Sequence, residues 1–240
     1  MPKFNRIIDR IFIDMTGTRP QDIQLIAELG AADASRRLKA ALAAGTKPDA
    51  ALLDMLIERC AVEPDFYVRD MLTWALIRHP PELTVPRLLV ELRSDRAQAR
   101  SQALHTLSKI KDASTWPAIT QALLRDADDE VARSAWRAAV ILAPDGQQQK
   151  LGEELVVQLG RGGKEVQLSL SRALVALGEE IVEPLLRTAM ASENADIRAH
   201  ASATERLLRE PTAGSERAVE AAKREFALGK ERKAEIEKLK

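Results

Sequence analysis

Apolar residues recur along this chain at the three-and-four spacing of one helix face, and the stripes are punctuated by Gly and Pro. Phe4, Ile7, Ile8, Ile11, Phe12 and Met15 form one such stripe before Gly17. Pro20 and Asp22 open a second, which carries Ile23, Ile26 and Leu29 and stops at Gly30. An Ala-rich segment, 31–44, ends at Gly45, and Pro48-Asp49 opens the next with Leu52, Leu53, Leu56 and Ile57. From there the stripes pair into hairpins. Val68 to Leu76 breaks at His79-Pro80-Pro81 and is answered by Val85 to Leu92. Ala99 to Ile110 is followed by Trp116 to Leu124. Val131 to Leu142 breaks at Pro144-Asp145-Gly146 and is followed by Leu151 to Leu159. Val166 to Leu177 stops at Gly178 before Ile181 to Met190, and Ile197 to Leu208 closes the last clear unit.

The opening of each second helix repeats a phrase: Asp65-Phe66-Tyr67-Val68-Arg69, Arg96-Ala97-Gln98-Ala99-Arg100, Asp129-Glu130-Val131, Lys164-Glu165-Val166 and Ala195-Asp196-Ile197-Arg198. Val68, Ala99, Val131, Val166 and Ile197 are equivalent, at steps of 31, 32, 35 and 31 residues. A period in that range predicts stacked helix pairs, each too small to bury its own apolar face. Four residues after the repeat's Val stand Ala103, Ala135 and Ala201, with Leu72 and Leu170 replacing them. Small residues there let neighbouring helices approach closely.

Composition supports helix over sheet. Aromatics are only 3% of the chain, and the apolar content is spent on Ala and Leu. The 36 basic residues cancel 36 acidic ones, so the chain lacks the basic surplus of a protein that tracks nucleic acid along its length. The single cysteine, Cys60, allows no internal disulfide, which fits a reducing, cytoplasmic setting. Lys3, Arg6, Asp9 and Arg10 interrupt the N-terminal apolar stripe, which argues against a signal peptide. No uncharged apolar run is long enough to span a membrane.

Paired helices, this period and the Asp-x-x-Val-Arg-like phrase resemble HEAT-like repeats, most of all the short bacterial form also found in phycobiliprotein lyases. The resemblance covers residues 48–210 and, more loosely, 21–47. Asp65 to Arg69 and Ala195 to Arg198 match best, while Ala132 and Gln167 replace the Arg in two units. It implies an all-α fold, a right-handed α-α superhelix (a HEAT-like, armadillo-like α-solenoid) of about five to six helix pairs. The expected organisation is an N-terminal helical cap over 1–47, the repeat array over 48–210, and a linker with a charged C-terminal helix over 211–240. The resemblance also implies that Asp65, Arg69, Arg100, Asp196 and Arg198 tie adjacent units together.

Candidate chemistry is sparse. His79, His105 and His200 have no second His or Cys at a metal-ligand interval, so no metal or cofactor is expected. Gly160-Arg161-Gly162-Gly163-Lys164 lacks the Gly-Lys-Ser/Thr ending of a phosphate loop and reads as a helix–helix turn. Asp128-Asp129 and Glu179-Glu180 lie at helix starts, where carboxylates complement the helix dipole. No catalytic residue is assigned.

The remaining signal is a row. Six residues after the repeat's Val stand Trp74, His105, Arg137 and Arg172, off the buried stripe and on one face of the second helices. Trp136 adjoins Arg137. Trp and Arg are enriched at binding hot spots. Several second helices carry more bases than acids, so a neutral chain can still own a mildly basic inner face. The expectation is a non-catalytic scaffold binding a protein or peptide on a concave face through Trp74, His105, Trp136, Arg137 and Arg172. Two alternatives rank below it: a DNA-associated protein resembling AlkD-type alkylpurine DNA glycosylases, and a tetrapyrrole- or client-handling protein resembling phycobiliprotein lyases.

Overall fold

The computed structural model describes residues 20–210, and the helical stripes expected over 4–15 and 216–240 lie outside them. Among the described residues all regular structure is helical, with no strand. The helices are α1 (Pro20–Leu29), α2 (Ala34–Thr46), α3 (Leu53–Cys60), α4 (Phe66–Ile77), α5 (Pro81–Glu91), α6 (Ala97–Ile110), α7 (Gln121–Leu124), α8 (Asp129–Leu142), α9 (Gln148–Val156), α10 (Lys164–Val175), α11 (Glu179–Met190) and α12 (Ala195–Arg209). Short 3-10 turns at Ala50–Leu52 and Ala113–Ala118 precede α3 and α7.

Contacts divide these elements into two compact units, 1–154 and 155–240, so the break falls inside α9. In the first unit α2 packs on α4, α4 on α6 and α6 on α8, with α1, α3, α5 and α7 as their hairpin partners. In the second, α12 packs on both α10 and α11. The expected segment 1–47 therefore contributes α2 to the first unit.

The helix starts follow from the sequence. The second helices of six units begin after residues 33, 65, 96, 128, 163 and 194. Asp33, Asp65, Asp128 and Asn194 accept hydrogen bonds there from backbone N–H groups of the first turn. Such caps satisfy donors that the helix itself leaves open. Seven residues beyond each cap lie Ala40, Leu72, Ala103, Ala135, Leu170 and Ala201, all buried. The small-residue seam read from five units thus extends into a sixth. One expected helix is broken. Trp116 to Leu124 splits into a 3-10 turn that contains Pro117 and the short α7, capped by Thr120. Pro117 has no N–H to give, and its ring crowds the preceding turn.

Candidate functional site

Three members of the row expected along the second helices stand on α4, α6 and α8 of the first unit. Trp74 is half-buried on α4, its indole laid on the backbone of α2 at Gly45. A Cβ on Gly45 would sit 2.2 Å from the indole Cζ3. The Arg78 guanidinium stands 5.9 Å from the Trp74 ring centroid, within cation–π range. On α6, His105 is half-buried. Burial pushes its pKa down, the charges of Arg137 on α8 and Lys109 push it the same way, and Asp70 on α4 opposes them. His105 therefore lies between α4 and α8 and is neutral at physiological pH. Arg137 is exposed and donates to Ser134 Oγ at 3.2 Å. Partial desolvation of the guanidinium by the protein around it lowers its pKa, with Arg133 adding and Glu130 opposing. Arg133 is neutralised by Glu130 at 2.5 Å. The face thus offers an indole beside Arg78 and an imidazole beside Lys109 and Arg137. Arg172 occupies the same place on α10 of the second unit, where it is exposed.

Trp136 does not belong to this face. It is fully buried, and its indole Nε1 donates to the Leu124 carbonyl at 2.8 Å. One residue before Arg137 on a helix is a rotation of about 100°, which carries it from solvent into the seam between α7 and α8. Trp136 is core.

The capping phrase works differently from its expected role. Each Arg four residues after a cap turns its Nη1 back on its own turn. Arg37 donates to the carbonyls of Ala31 and Ala32, Arg69 to Glu63 and Pro64, Arg100 to Ser94, and Arg198 to Ser192 and Glu193. Gln167 does the same to Gly162. Asp65 caps its own helix, and Asp196 is an exposed first-turn residue whose N–H serves the Asn194 cap. Among the described residues, then, Asp65, Arg69, Asp196 and Arg198 act within their own unit. Of the five, Arg100 alone reaches the next, clamping both oxygens of Asp126 at 3.0 Å each.

The stronger tie has a pattern the expected set misses. Glu63 is fully buried and takes both prongs of Arg37 at 2.8 and 2.7 Å, Arg59 at 2.7 Å, and the N–H of Asp65 at 2.9 Å. Burial works to raise the Glu63 pKa, but these donors outweigh it and hold the carboxyl below its ordinary value. Asp126 repeats the arrangement, taking Arg100 and the Asp128 N–H. An acid two residues before the cap is the readable signal in Glu63-Pro64-Asp65 and Asp126-Ala127-Asp128. Asp33 to Arg37 is a further copy of the phrase, 32 residues before Asp65 to Arg69.

The family model of HEAT repeats matches residues 53–141. That stretch of the chain carries HEAT repeats. Among curated proteins nothing matches it. Solved structures similar to this chain include a designed armadillo repeat protein, YIII(Dq)4CqI, at 18% identity, covering 77% of this chain and 98% of that chain with a TM-score of 0.41. A second is the complex of CpcE and CpcF of phycocyanin lyase from Nostoc sp. PCC7120, at 21% identity, covering 78% of this chain and 76% of that chain with a TM-score of 0.43. A third is a designed armadillo repeat protein, YIII(Dq.V1)4CPAF, in complex with the peptide (KR)4, at 18% identity, 77% and 98% coverage and a TM-score of 0.42.

Two reactive side chains, Cys60 and His200, are built into the core. Cys60 closes α3, is buried, and has its thiol pushed up to about 12 by that burial. His200 is buried: its Nδ1 accepts from the Gly160 N–H at 3.0 Å and its Nε2 faces the Gln167 carbonyl at 3.0 Å. Among the described residues no three His, Cys, Asp or Glu side chains gather as metal ligands, and no helix is long and apolar enough to cross a membrane.

Proposed function

We propose that this protein is a non-catalytic, cytoplasmic scaffold that captures a protein or peptide on the face of its second helices. The observation that carries the reading is the row on α4, α6 and α8, where the half-buried Trp74 indole lies beside Arg78 and His105 lies beside Lys109 and Arg137. An amphipathic ring beside cationic side chains can hold the apolar body and the carboxylates of a partner together. Arg172 extends the same position to α10. Cys60 and His200, committed to the core, leave this surface to binding and not to bond-making.

The test is the triple change Trp74→Ala, Arg137→Ala and Arg172→Ala. Crosslinked partners recovered from the native host with the wild-type chain should be lost with the variant, at unchanged helical circular dichroism. Capture that survives removes this face from the function. A salt-sensitive shift of duplex DNA by the wild-type chain, lost in the same variant, would instead move the surface to nucleic acid.

A further inference from the structure

A second surface lies at the opening of α4, about two helical turns before Trp74. Phe66 and Tyr67 are 65% and 73% exposed, and their rings meet edge to face at 5.6 Å between centroids. The first two helical positions of the other units hold Ala34-Ser35, Ala97-Gln98, Asp129-Glu130, Lys164-Glu165 and Ala195-Asp196. The repeat therefore has no structural need of aromatics there. In a chain with only 3% aromatic residues, placing two of them side by side in solvent marks a contact surface.

Arg69 stands beside that pair, its guanidinium 6.0 Å from the Phe66 ring centroid. Arg37 and Arg100 show what such an arginine does when complete. Each fixes Nη1 on its own turn and closes Nε and Nη2 on a carboxylate of the following unit, Glu63 or Asp126. Arg69 fixes its Nη1 in the same way. The residue equivalent to Glu63 and Asp126 in the unit after it is Ser94, whose hydroxyl takes the Arg96 N–H as those carboxylates take their caps' N–H. Among the described residues, Nε and Nη2 of Arg69 have no hydrogen-bond partner, and they are open to solvent. A rigid fork of this kind matches a carboxylate with two parallel hydrogen bonds.

We infer that Arg69, Phe66 and Tyr67 form a docking site for an acidic peptide segment, whose Asp or Glu carboxylate closes the Arg69 fork while an adjacent aliphatic side chain covers the aromatic pair. The partner supplies in trans the carboxylate that Glu63 and Asp126 supply in cis. Because Arg69 is already held by two backbone carbonyls, little side-chain freedom is lost on binding.

The probe is acetyl-Leu-Glu-Leu-amide, titrated into the 15N-labelled full chain, with the Gln peptide as control. The readout is the Arg69 Nε–Hε resonance, assigned by its disappearance in Arg69→Lys. The Glu peptide should move this resonance saturably, and the Gln peptide should bind roughly tenfold more weakly or worse. Ser94→Asp should move the resonance without peptide and then block the peptide. Equal binding of both peptides, no shift with the Glu peptide, or unchanged affinity in Ser94→Asp would overturn the inference. Should Ser94→Asp fail to fold, the exposed double change Phe66→Ser and Tyr67→Ser decides: affinity must fall, and unchanged affinity sinks the site. The Trp74, Arg137 and Arg172 triple variant should bind the Glu peptide as the wild type does, which separates this site from the second-helix face.

Discussion

Both compact units tie consecutive second helices together with a buried polar side chain, but the first does it with charge and the second without. In the first, Glu63 collects two guanidinium groups and a backbone N–H, and neither Arg37 nor Arg59 is more than 8% exposed. In the second, His200 on α12 accepts from the Gly160 N–H and meets the Gln167 carbonyl and Ser171 of α10, while Ser171 and Thr204 share a hydrogen bond at 2.7 Å. A buried ionic cluster is costly to desolvate and holds only while every member is present. A neutral network costs less to bury, but its acceptor nitrogen is open to protonation. The two units should therefore fail in different ways.

The largest effect is expected at Glu63. Glu63→Ala takes away the buried carboxylate that Arg37 and Arg59 share, and should remove about 3–5 kcal/mol from the first unit in urea unfolding. The half-buried equivalent gives the scale for comparison. Arg100 and Asp126 keep 18% and 12% of their side chains in solvent, so water replaces part of what Asp126→Asn removes. That change should cost about 1.5–2 kcal/mol, near the lower end for hydrogen bonds to charged groups. Equal costs at the two sites would mean that burial is not what sets the strength of the clamp. Because the Glu63 pKa is depressed on folding, its contribution is complete above the ordinary carboxyl range and is lost as pH falls through the folded value.

The neutral network should respond at milder acidity. Burial is the main cause of the lowered His200 pKa, with the Gln167 hydrogen bond opposing it. The Gly160 N–H already points at Nδ1, so a proton there would set two donors against each other. As pH falls below the ordinary histidine value of about 6.5, the unfolded chain takes up a proton that the folded one refuses, and stability declines until the folded pKa is reached. Burial also lowers His79 and His105, and both add to the same slope. The His200 share is therefore read by difference. His200→Gln should be less stable at neutral pH, and its urea midpoint should lose up to one proton's worth of pH dependence, about 1.4 kcal/mol per pH unit, between about pH 6.5 and 5. Parallel profiles for the two proteins would show that His200 is not the proton-sensitive member.

The array was legible because its signals are local and periodic. The apolar stripes, the Gly and Pro stops and the step between Val68 and Ala99 survive in a bare sequence, and the helix pairs follow. Trp74, His105 and Arg137 were placed together by one constant offset from those stripes. Trp136 was misplaced because neighbours in sequence point about 100° apart on a helix, and nothing local marks the Leu124 carbonyl as its partner. The Arg37–Glu63–Arg59 cluster was missed for another reason. Each side chain alone looks like an ordinary surface charge, and only the capping phrase carried one unit further back, to Asp33, brings Arg37 into register with Arg69 and Arg100. The neutral network around His200 leaves still less trace, since a backbone N–H and a backbone carbonyl carry no sequence identity.

The smallest expected effect separates the cap from the clamp. Asp128 uses its carboxylate on the N–H groups of Glu130 and Val131, at 2.9 and 3.1 Å, while its own N–H serves Asp126. Asp128→Ala removes the first function and keeps the second, because the backbone donor survives any side-chain change. Asp129 cannot substitute, since it is already the first helical residue and its carboxylate is past the position from which the first-turn donors are reached. The cost should therefore be that of a lost cap alone, about 1 kcal/mol, below the figure for Asp126→Asn. The Arg100–Asp126 pair should stay closed, as judged by an unchanged Arg100 Nε–Hε resonance. If Asp128→Ala cost as much as Asp126→Asn and released Arg100, the cap and the inter-unit clamp would be one cooperative element, and the recurrence of an acid two residues before the cap would mark a single loop fold instead of two separable devices.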